Sequence, residues 1–316
     1  MNFLPIFQKM VELFLIIILG YFATKVGVMN QQGKQNFSKL VLNVTMPCTI
    51  LSSVVNSTTL PGTKEILYTL LIALLSYVLL FVIAFLAPKI MGLSKQQKGV
   101  AFFALMFGNV GFIGFPVIDA IYGADAVFYA SVFNMPFNLL AYSLGVYVLK
   151  KDSLAEGANN QSSLSLKKLF LTPALISSIV SILIALLKLN LPALLCEPIG
   201  IVGNITTPAA LLIIGCTLAE MPVAEMFNNA KAYLVSFFCI IVSPALTLLV
   251  FHPFTSGITL KVAVIMAAMP VATAGTMLCV EHKCDEKFMA QITFLTTLLT
   301  VVTIPLCAVF METLGI

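Results

Sequence analysis

The chain has 316 residues, of which 60% are hydrophobic and 9% are charged, and its mean hydropathy is +1.05. This composition excludes a soluble globular domain, because too few polar residues remain to cover a water-facing surface. The net charge of +4 does not indicate a nucleic-acid partner, and we predict none. Since a segment of roughly 20 apolar residues can span a bilayer, we predict an all-α polytopic membrane protein.

Ten apolar segments are predicted to span the membrane in chain order. The first has no basic start and is too long for a cleavable signal peptide, so we expect it to span as well. A hydrophilic stretch, 150–167, separates the fifth segment from the sixth. The predicted segments are 5–27, 36–56, 65–88, 97–119, 125–149, 168–188, 194–219, 230–252, 259–281 and 287–311.

Lysine placement predicts the orientation of these segments. All seventeen basic residues are lysines, and cytoplasmic loops are enriched in basic residues. With the N-terminus outside, thirteen lysines lie in inside loops, and four (Lys9, Lys64, Lys188 and Lys261) lie outside. We therefore expect a multi-pass protein of the cell (plasma or inner) membrane, with both termini extracytoplasmic and the linker 150–167 cytoplasmic.

The two halves of the chain repeat the same landmarks. Asn43 and Asn204 are 161 residues apart, Lys98 and Lys261 are 163 apart, and Asp125 and Asp285 are 160 apart. We predict a first five-helix repeat at 1–149, the linker at 150–167 and a second five-helix repeat at 168–316. Because five is odd, the second repeat enters the membrane from the opposite side, which gives the inverted-topology repeat found in secondary transporters.

One repeated motif places proline inside an apolar segment, as NVTMP at 43–47 and NITTP at 204–208. Proline breaks a helical hydrogen bond, and lipid cannot satisfy the freed carbonyl. Asn43 and Thr45, and Asn204 and Thr207 in the second half, are candidate partners for such carbonyls. The alternative is that both motifs are plain kinks in supporting helices.

The fourth and ninth segments are interrupted more heavily. The fourth reads FALMFGNVGFIGFPVIDAIYG, with its glycines and proline clustered around Asn109, and the ninth reads AAMPVATAGTML, around Pro270. We predict that both unwind near the bilayer midplane and cross there, exposing half-helix N-termini. Each such terminus has about half a positive charge, which favours a small anion. The alternative is close packing of small-residue helices.

The fifth segment contains two side-chain amides, Asn134 and Asn138. They are four residues apart and therefore lie on one helical face. Amides facing lipid are costly, so we expect both to face the bundle. They are candidates either for substrate binding or for hydrogen bonds between helices. The candidate substrate-binding residues are Gly108, Asn109, Gly111, Asn134, Asn138, Pro270, Thr273 and Gly275.

The chain resembles the auxin efflux carrier family of membrane transporters. The resemblance is most specific in GNVGFIGFPVIDAIYG, in TPAALLIIGCTLAE and in MPVATAGTMLCVEHKCDEKFMAQITFLTTLLTVVTIPL, and it runs over essentially the whole chain. That family includes the plant PIN carriers and bacterial malonate and malate carriers. The short linker resembles the bacterial members.

The resemblance implies an elevator-type carrier with the ten-helix crossover plan of bile-acid symporters and NhaA-type antiporters. Segments one, two, six and seven would form a scaffold, and segments three to five and eight to ten a transport domain. Asn109 falls where the family has a substrate-contacting asparagine, and Pro270 matches the second crossover proline. Gly108 stands where plant members have proline, and Asn138 falls near a family glutamine. The family also implies a homodimer through the scaffold.

We therefore expect a secondary active transporter of small organic anions, namely carboxylates such as malonate or malate, or auxin-like acids. No nucleotide-binding motif of the type GxxxxGK[ST] is present, which excludes an ATP-driven pump within this chain. The candidate coupling ions are a proton and sodium. The alternative is a sodium-coupled symporter of the bile-acid type, and sodium dependence of binding distinguishes the two.

Enzymatic activity is not predicted. The sequence has no HExxH motif, no GxSxG motif and no intramembrane pair of aspartates at catalytic spacing. The seven cysteines have neither CxxC nor Cys/His metal spacing. No catalytic residue, metal site or cofactor follows from the sequence.

Overall fold

The computed structural model describes residues 3–57, 61–151, 172–189, 191–221 and 223–316, and the regular elements among them are helices. Two helices are interrupted and are numbered in two parts. The helices are α1 (Phe3–Lys25), α2 (Gln31–Val55), α3 (Thr63–Ile90), α4a (Lys95–Met106), α4b (Val110–Tyr122), α5 (124–151), α6 (Pro173–Leu187), α7 (Ala193–Glu220), α8 (Ala230–Phe251), α9a (Gly257–Ala267), α9b (Ala274–Glu281) and α10 (Glu286–Thr313). A four-residue helix, Val223–Met226, lies between α7 and α8.

Each of the ten predicted segments coincides with one of these helices over most of its length. The clearest difference is α2, which begins at Gln31 and not at residue 36. Asn30 explains the earlier start, because its Oδ1 accepts a hydrogen bond of 2.7 Å from the Gly33 N–H and caps the first turn. Lys150 and Lys151 end α5, and the rest of the predicted linker, 152–167, lies outside the described residues.

The lengths and compositions of the helices agree with a polytopic membrane protein. By these two criteria alone, five described helices can cross a membrane: α2, α3, α7, α8 and α10. Shorter apolar helices include α4b, α6 and α9a. The all-helical class predicted from the sequence is confirmed, and the inverted repeat stays a prediction.

Helices α1 and α7 touch through their backbones at two glycines. A Cβ on Gly215 would lie 1.9 Å from the Ile17 carbonyl oxygen, and a Cβ on Gly20 would lie 2.2 Å from the Leu212 carbonyl oxygen. The Cys216 thiol donates to the Gly20 carbonyl at 3.4 Å. Membrane helices associate through such small residues, because lipid provides no hydrophobic force between them. Glycine at both positions therefore sets how closely α1 and α7 approach.

The two proline motifs lie beside each other, where α2 crosses α7. In α2 the motif forms a π-helical turn, Val41–Thr45, and the helix continues from Met46. In α7 the helical turns stop at Gly203 and resume at Thr206. Thr49 joins the two helices, since its hydroxyl is 2.8 Å from the Gly203 carbonyl oxygen and 2.7 Å from Thr206 Oγ1.

The predicted partners of the proline motifs have different outcomes. The Asn43 side chain donates to the Lys39 carbonyl at 2.7 Å, which lies one turn back, before the π-helical turn. Thr45 is buried, but its hydroxyl has no partner. Asn204 is exposed and Thr207 is half-buried. The polar contact between the motifs therefore comes from Thr49 and Thr206, one turn or less from the residues singled out in the sequence.

The buried side chains form three clusters. One cluster draws its members from α3, α4a, α5, α8, α9b and α10, together with residues at the interruption of the ninth segment. A second cluster takes members from all ten segments, since it joins α1, α2, α6 and α7 to α3, α4b, α5, α8, α9a and α10. The third, smaller cluster lies among α2, α3, α5 and α6. Six of the ten segments thus share a core that the other four do not enter.

Candidate functional site

The fourth segment is interrupted at Gly108 and Asn109. Helix α4a ends at Met106, and Phe107 has an extended backbone (φ −123°, ψ 91°). Helix α4b then begins with a π-helical turn, Val110–Gly114, before the α-helix at Phe115. A Cβ on Gly108 would lie 3.0 Å from the Met269 Cβ, so any side chain here would crowd the ninth segment where it passes.

The ninth segment is interrupted from Ala268 to Thr273. Helix α9a ends at Ala267 and α9b begins at Ala274. Pro270 lies in the middle of this gap, where it has no N–H to donate and favours an extended neighbour. The interruptions predicted from the sequence in the fourth and ninth segments are both confirmed.

The two interruptions hydrogen-bond to each other, and we call this paired region, 107–109 with 270–272, the crossover. The Asn109 N–H donates to the Pro270 carbonyl at 2.6 Å, and the Ala272 N–H donates to the Phe107 carbonyl at 3.0 Å. Gly108 and Val271 form an isolated antiparallel bridge between these bonds. Each unwound segment therefore satisfies backbone groups of the other, as non-helical backbone at membrane depth requires.

The side chain of Asn109 lies at the start of α4b. Its Oδ1 accepts a hydrogen bond of 3.2 Å from the Phe112 N–H and caps the helix. Its Nδ2 is buried and has no hydrogen-bond partner, and the residue is 4% exposed. Leaving a buried donor unpaired costs about 1–3 kcal/mol. The amide is therefore a donor to which an acceptor from a ligand would add a favourable bond.

Two helix N-termini begin beside the crossover. Helix α4b starts directly after Asn109, and α9b starts directly after Thr273, which is half-buried and makes no side-chain cap. Their helix dipoles give positive potential, to which an anion is attracted. The crossover thus presents hydrogen-bond donors without a lysine.

The structure brings several predicted site residues together. Gly108, Asn109 and Pro270 form the crossover itself. Gly111 packs against α2, since a Cβ there would be 3.4 Å from the Met46 Cε. Gly275 lies against the ring of Phe103, 2.8 Å from a Cβ built on it. Gly111 and Gly275 therefore permit close packing around the crossover and contribute no side chain to it.

The predicted asparagines of α5 are placed less fully. Asn134 is 4% exposed, so the expectation that it faces the bundle is confirmed. Asn138 lies on the same helix, but its side chain is outside the described part of the structure. Phe137 contacts Phe107 of the crossover, with ring centroids 5.9 Å apart. Helix α5 thus packs against the crossover one residue before Asn138.

Sequence reasoning missed the threonine hydroxyls of α10, one of which bonds to the crossover. Thr296 of α10 accepts a hydrogen bond of 3.1 Å from the Val271 N–H. The hydroxyl of Thr293, on the same helix, is buried and unpartnered. The available signal was the spacing of threonines in TFLTTLLTVVT, which repeats every three or four residues and so marks one face of α10.

Two clefts lie at opposite ends of the bundle. A cleft of about 210 Å³ lies where α9a begins, with Ser53, Tyr122, Asp125 and Ile258 in its wall. Another, of about 260 Å³, lies where α10 begins, with Glu225, Lys287 and Gln291 in its wall. Neither of these two clefts is lined by residues of the crossover. In the part of the chain described, no group of three or more His, Cys, Asp or Glu side chains is placed to hold a metal ion.

Interrupted helices that pair inside an apolar bundle are typical of secondary transporters. Comparison with known proteins agrees with this class. The chain belongs to the family described as "Membrane transport protein", whose model matches residues 5–308. The match confirms the resemblance to the auxin efflux carrier family.

Relatives in three organisms have the same general description. The chain is 24% identical to an uncharacterized transporter of Methanothermobacter thermautotrophicus, over 98% of this chain and 99% of the relative. It is 25% identical to the uncharacterized transporter MJ1031 of Methanocaldococcus jannaschii, over 92% and 94%. It is 24% identical to the uncharacterized transporter YfdV of Escherichia coli K12, over 85% and 86%. The class, a membrane transporter, is therefore shown.

Proposed function

We propose that the protein is a secondary active transporter of small organic anions, with the crossover as its substrate site. The observation that carries the proposal is the unpaired Nδ2 donor of Asn109, buried where two interrupted helices meet. A carboxylate supplies the acceptor that this amide lacks, and a hydrogen bond to a charged group is stronger than one between neutral groups. The nearby N-termini of α4b and α9b favour the same sign of charge.

The substrate class that fits best is a mono- or dicarboxylate such as malonate or malate. The site residues Gly108, Gly111, Gly275 and Pro270 provide no bulky or basic side chain, so the donors available to a compact anion are the Asn109 amide and the helix N-termini. Auxin-like acids remain a wider version of the same class. A proton or a sodium ion is the candidate for the ion whose transport is coupled to that of the anion. Besides this substrate, the partner of the protein is the lipid bilayer that surrounds it.

The proposed mechanism is elevator-type alternating access. Helices α3, α4a, α5, α8, α9b and α10 share one buried core without contributions from α1, α2, α6 and α7, and a second core packs the two groups against each other. A body with its own core can move against its neighbours without unfolding. We therefore propose that the six helices form the transport domain, that the other four form the scaffold, and that a homodimer forms through the scaffold.

The proposed orientation follows from the lysines. Both termini are extracytoplasmic and the linker is cytoplasmic, in the cell membrane. Cysteine labelling in intact cells tests this proposal, using Lys188→Cys for the outside and Lys151→Cys for the inside in a cysteine-free background. A membrane-impermeant maleimide should label the first variant and spare the second. The opposite pattern would invert the orientation.

Ligand-induced thermal stabilisation tests the substrate class. The purified protein is melted with malonate, malate, an auxin-like acid or a neutral diamide of malonate as control, with and without sodium. A ligand present at a hundred times its Kd stabilises the native state by about 2.7 kcal/mol. We expect stabilisation by a carboxylate but not by the diamide. Stabilisation that needs sodium would favour the bile-acid type of symporter, and no shift with any anion would contradict the proposed class.

A further inference from the structure

A row of threonines on α10 faces the interior of the protein. Thr293, Thr296, Thr297 and Thr300 are each 4% exposed or less. Thr297 and Thr300 satisfy their hydroxyls within their own helix, by donating to the carbonyls of Thr293 at 2.7 Å and Thr297 at 2.9 Å. Such bonds are common for threonine in helices and join no second element.

Thr296 makes a bond of a different kind. Its hydroxyl donates to the Ile292 carbonyl of its own helix at 2.8 Å, and its oxygen accepts from the Val271 N–H at 3.1 Å. Val271 is the residue that bridges with Gly108 in the crossover. One threonine of the row therefore connects α10 to the unwound part of the ninth segment.

In the part of the chain that the structure describes, Thr296 is the one group that accepts a hydrogen bond from the Val271 N–H. The bonds between the two interruptions use the Pro270 carbonyl and the Ala272 N–H, which flank Val271. Val271 itself is 0% exposed, so water does not reach its N–H. Without the Thr296 oxygen the buried donor would have no acceptor, which disfavours the observed backbone at this point.

We propose that Thr296 is a positioning residue, which holds Val271 and thereby the crossover in the geometry that presents the Asn109 amide. Because Pro270 next to Val271 accepts the Asn109 N–H, loosening Val271 also loosens the backbone bond of Asn109. The hydrogen bond between Val271 and Thr296, which we call the tie, also links α10 to the interruption of the ninth segment, so that the two move together. The effect on substrate, though not the tie itself, rests on the proposed function.

Hydrogen exchange tests the tie without any substrate. Thr296→Val keeps the shape of the side chain but removes the acceptor, and Thr296→Ser restores it. Exchange is followed by mass spectrometry in a peptide spanning 268–273 of the purified protein. We expect exchange in this peptide to rise roughly five- to a hundredfold in the valine variant and to stay at the wild-type rate in the serine variant.

Thr297→Val is the matched control, since Thr297 is equally buried but bonds within α10 alone. Its exchange in 268–273 should equal that of the wild type. Thr296→Ala removes the same acceptor and leaves a smaller side chain. It replaces the valine variant in the exchange measurement if that variant does not yield folded protein. Equal exchange in the Thr296 and Thr297 variants would overturn the proposal.

Uptake of malonate into proteoliposomes tests the consequence for function. We expect the Thr296→Val variant to raise the KM for malonate several-fold, with rescue by serine and no change in the Thr297→Val variant. A fall in the maximal rate alone, shared by both valine variants, would indicate a general loss of packing and contradict positioning. If the wild type neither binds nor transports malonate, the proposed function fails, and hydrogen exchange still decides the role of Thr296.

Discussion

Asn109 has two hydrogen-bonding ends with different tasks. Its Oδ1 caps α4b by accepting from Phe112, while its Nδ2 is buried without a partner. The cap explains why an asparagine oxygen is favourable at this position. It does not explain why the buried Nδ2 has no partner. A substitution that separates the two ends can therefore separate stability from binding.

Asn109→Asp keeps the capping oxygen and replaces the amide donor with a second acceptor. We expect it to weaken malonate binding more than tenfold at a pH where the new carboxyl group is ionised, because two carboxylates repel each other, while the protein still folds. Asn109→Ala removes both ends and should also lower the free energy of unfolding by about 0.5–2 kcal/mol, as loss of a cap does. Binding is measured by calorimetry and stability by thermal unfolding.

The control for this pair is Asn43→Ala, which removes an exposed asparagine whose amide bonds to the Lys39 carbonyl of α2. It should leave the Kd for malonate within twofold of the wild type. Malonate binding that is unchanged in Asn109→Asp would remove the Asn109 amide from the site.

The residues around the crossover differ in how visible they are in the sequence. Asn109 and Pro270 stand out, because an amide in an apolar segment is costly unless it is paired, and a proline in a cluster of glycines and threonines frees backbone groups that need partners. Thr296 does not stand out, because a threonine in a membrane helix usually satisfies itself one turn back. Its bond to Val271 depends on how two distant segments pack, and no local pattern contains that information.

At the scale of elements, the interruptions of the fourth and ninth segments form a structural pair. Glycine and proline density predicted where each helix stops, but not that the two gaps would exchange the bonds from Asn109 to Pro270 and from Ala272 to Phe107. The proline motif of α2 has a different result, a π-helical turn within a continuous helix. Proline in the crossover and proline in α2 should therefore have unequal effects on transport.

Pro270→Ala is expected to impair transport more than Pro47→Ala. Alanine adds an N–H at the crossover and relaxes the backbone that presents the Pro270 carbonyl to Asn109, whereas at position 47 it lets α2 continue as an ordinary helix. The comparison is made by initial rates of malonate uptake at equal reconstituted protein. Equal loss of activity in both variants would remove the distinction between a crossover and a supporting helix.

The contact between α1 and α7 makes a prediction about stability. Gly215→Ala places a Cβ where the Ile17 carbonyl lies, 1.9 Å away. The two backbones must then separate, and we expect a loss of roughly 1–3 kcal/mol or more, as for other overpacked sites. Thermal unfolding in detergent measures it.

Gly62→Ala is the control for this change, because a Cβ there meets nothing within 4 Å and the backbone is ordinary for an L-residue (φ −71°). It should leave the unfolding temperature close to that of the wild type, with a slight loss at most, because Gly62 is the N-cap of α3. If Gly215→Ala were as stable as Gly62→Ala, the close approach of α1 and α7 would not contribute to the fold.

At the scale of the whole molecule, composition and apolar periodicity predicted an all-helical membrane protein, and the helices lie where the ten segments were expected. The reason is that each bilayer-spanning run is encoded locally by its length and hydropathy. The side-by-side placement of the two proline motifs through Thr49, Gly203 and Thr206 was not predicted, because it depends on contacts between residues more than 150 positions apart.

The shared core of α3, α4, α5, α8, α9 and α10 also belongs to the whole molecule. Chain order alone does not group these six helices, since α6 and α7 lie between them. The division into a scaffold and a transport domain stays a prediction. Phe107, Val271 and Ala272 of the crossover belong to this core.

The most direct test of the central claim is counterflow of radiolabelled malonate in proteoliposomes that are preloaded with unlabelled malonate, with no ATP present. We predict accumulation of label that depends on internal malonate, is abolished in Asn109→Asp and persists in Asn43→Ala. Accumulation that is equal in wild type and Asn109→Asp would contradict the crossover as the substrate site. No counterflow with malonate, malate or any other small carboxylate would contradict the proposed transport of organic anions.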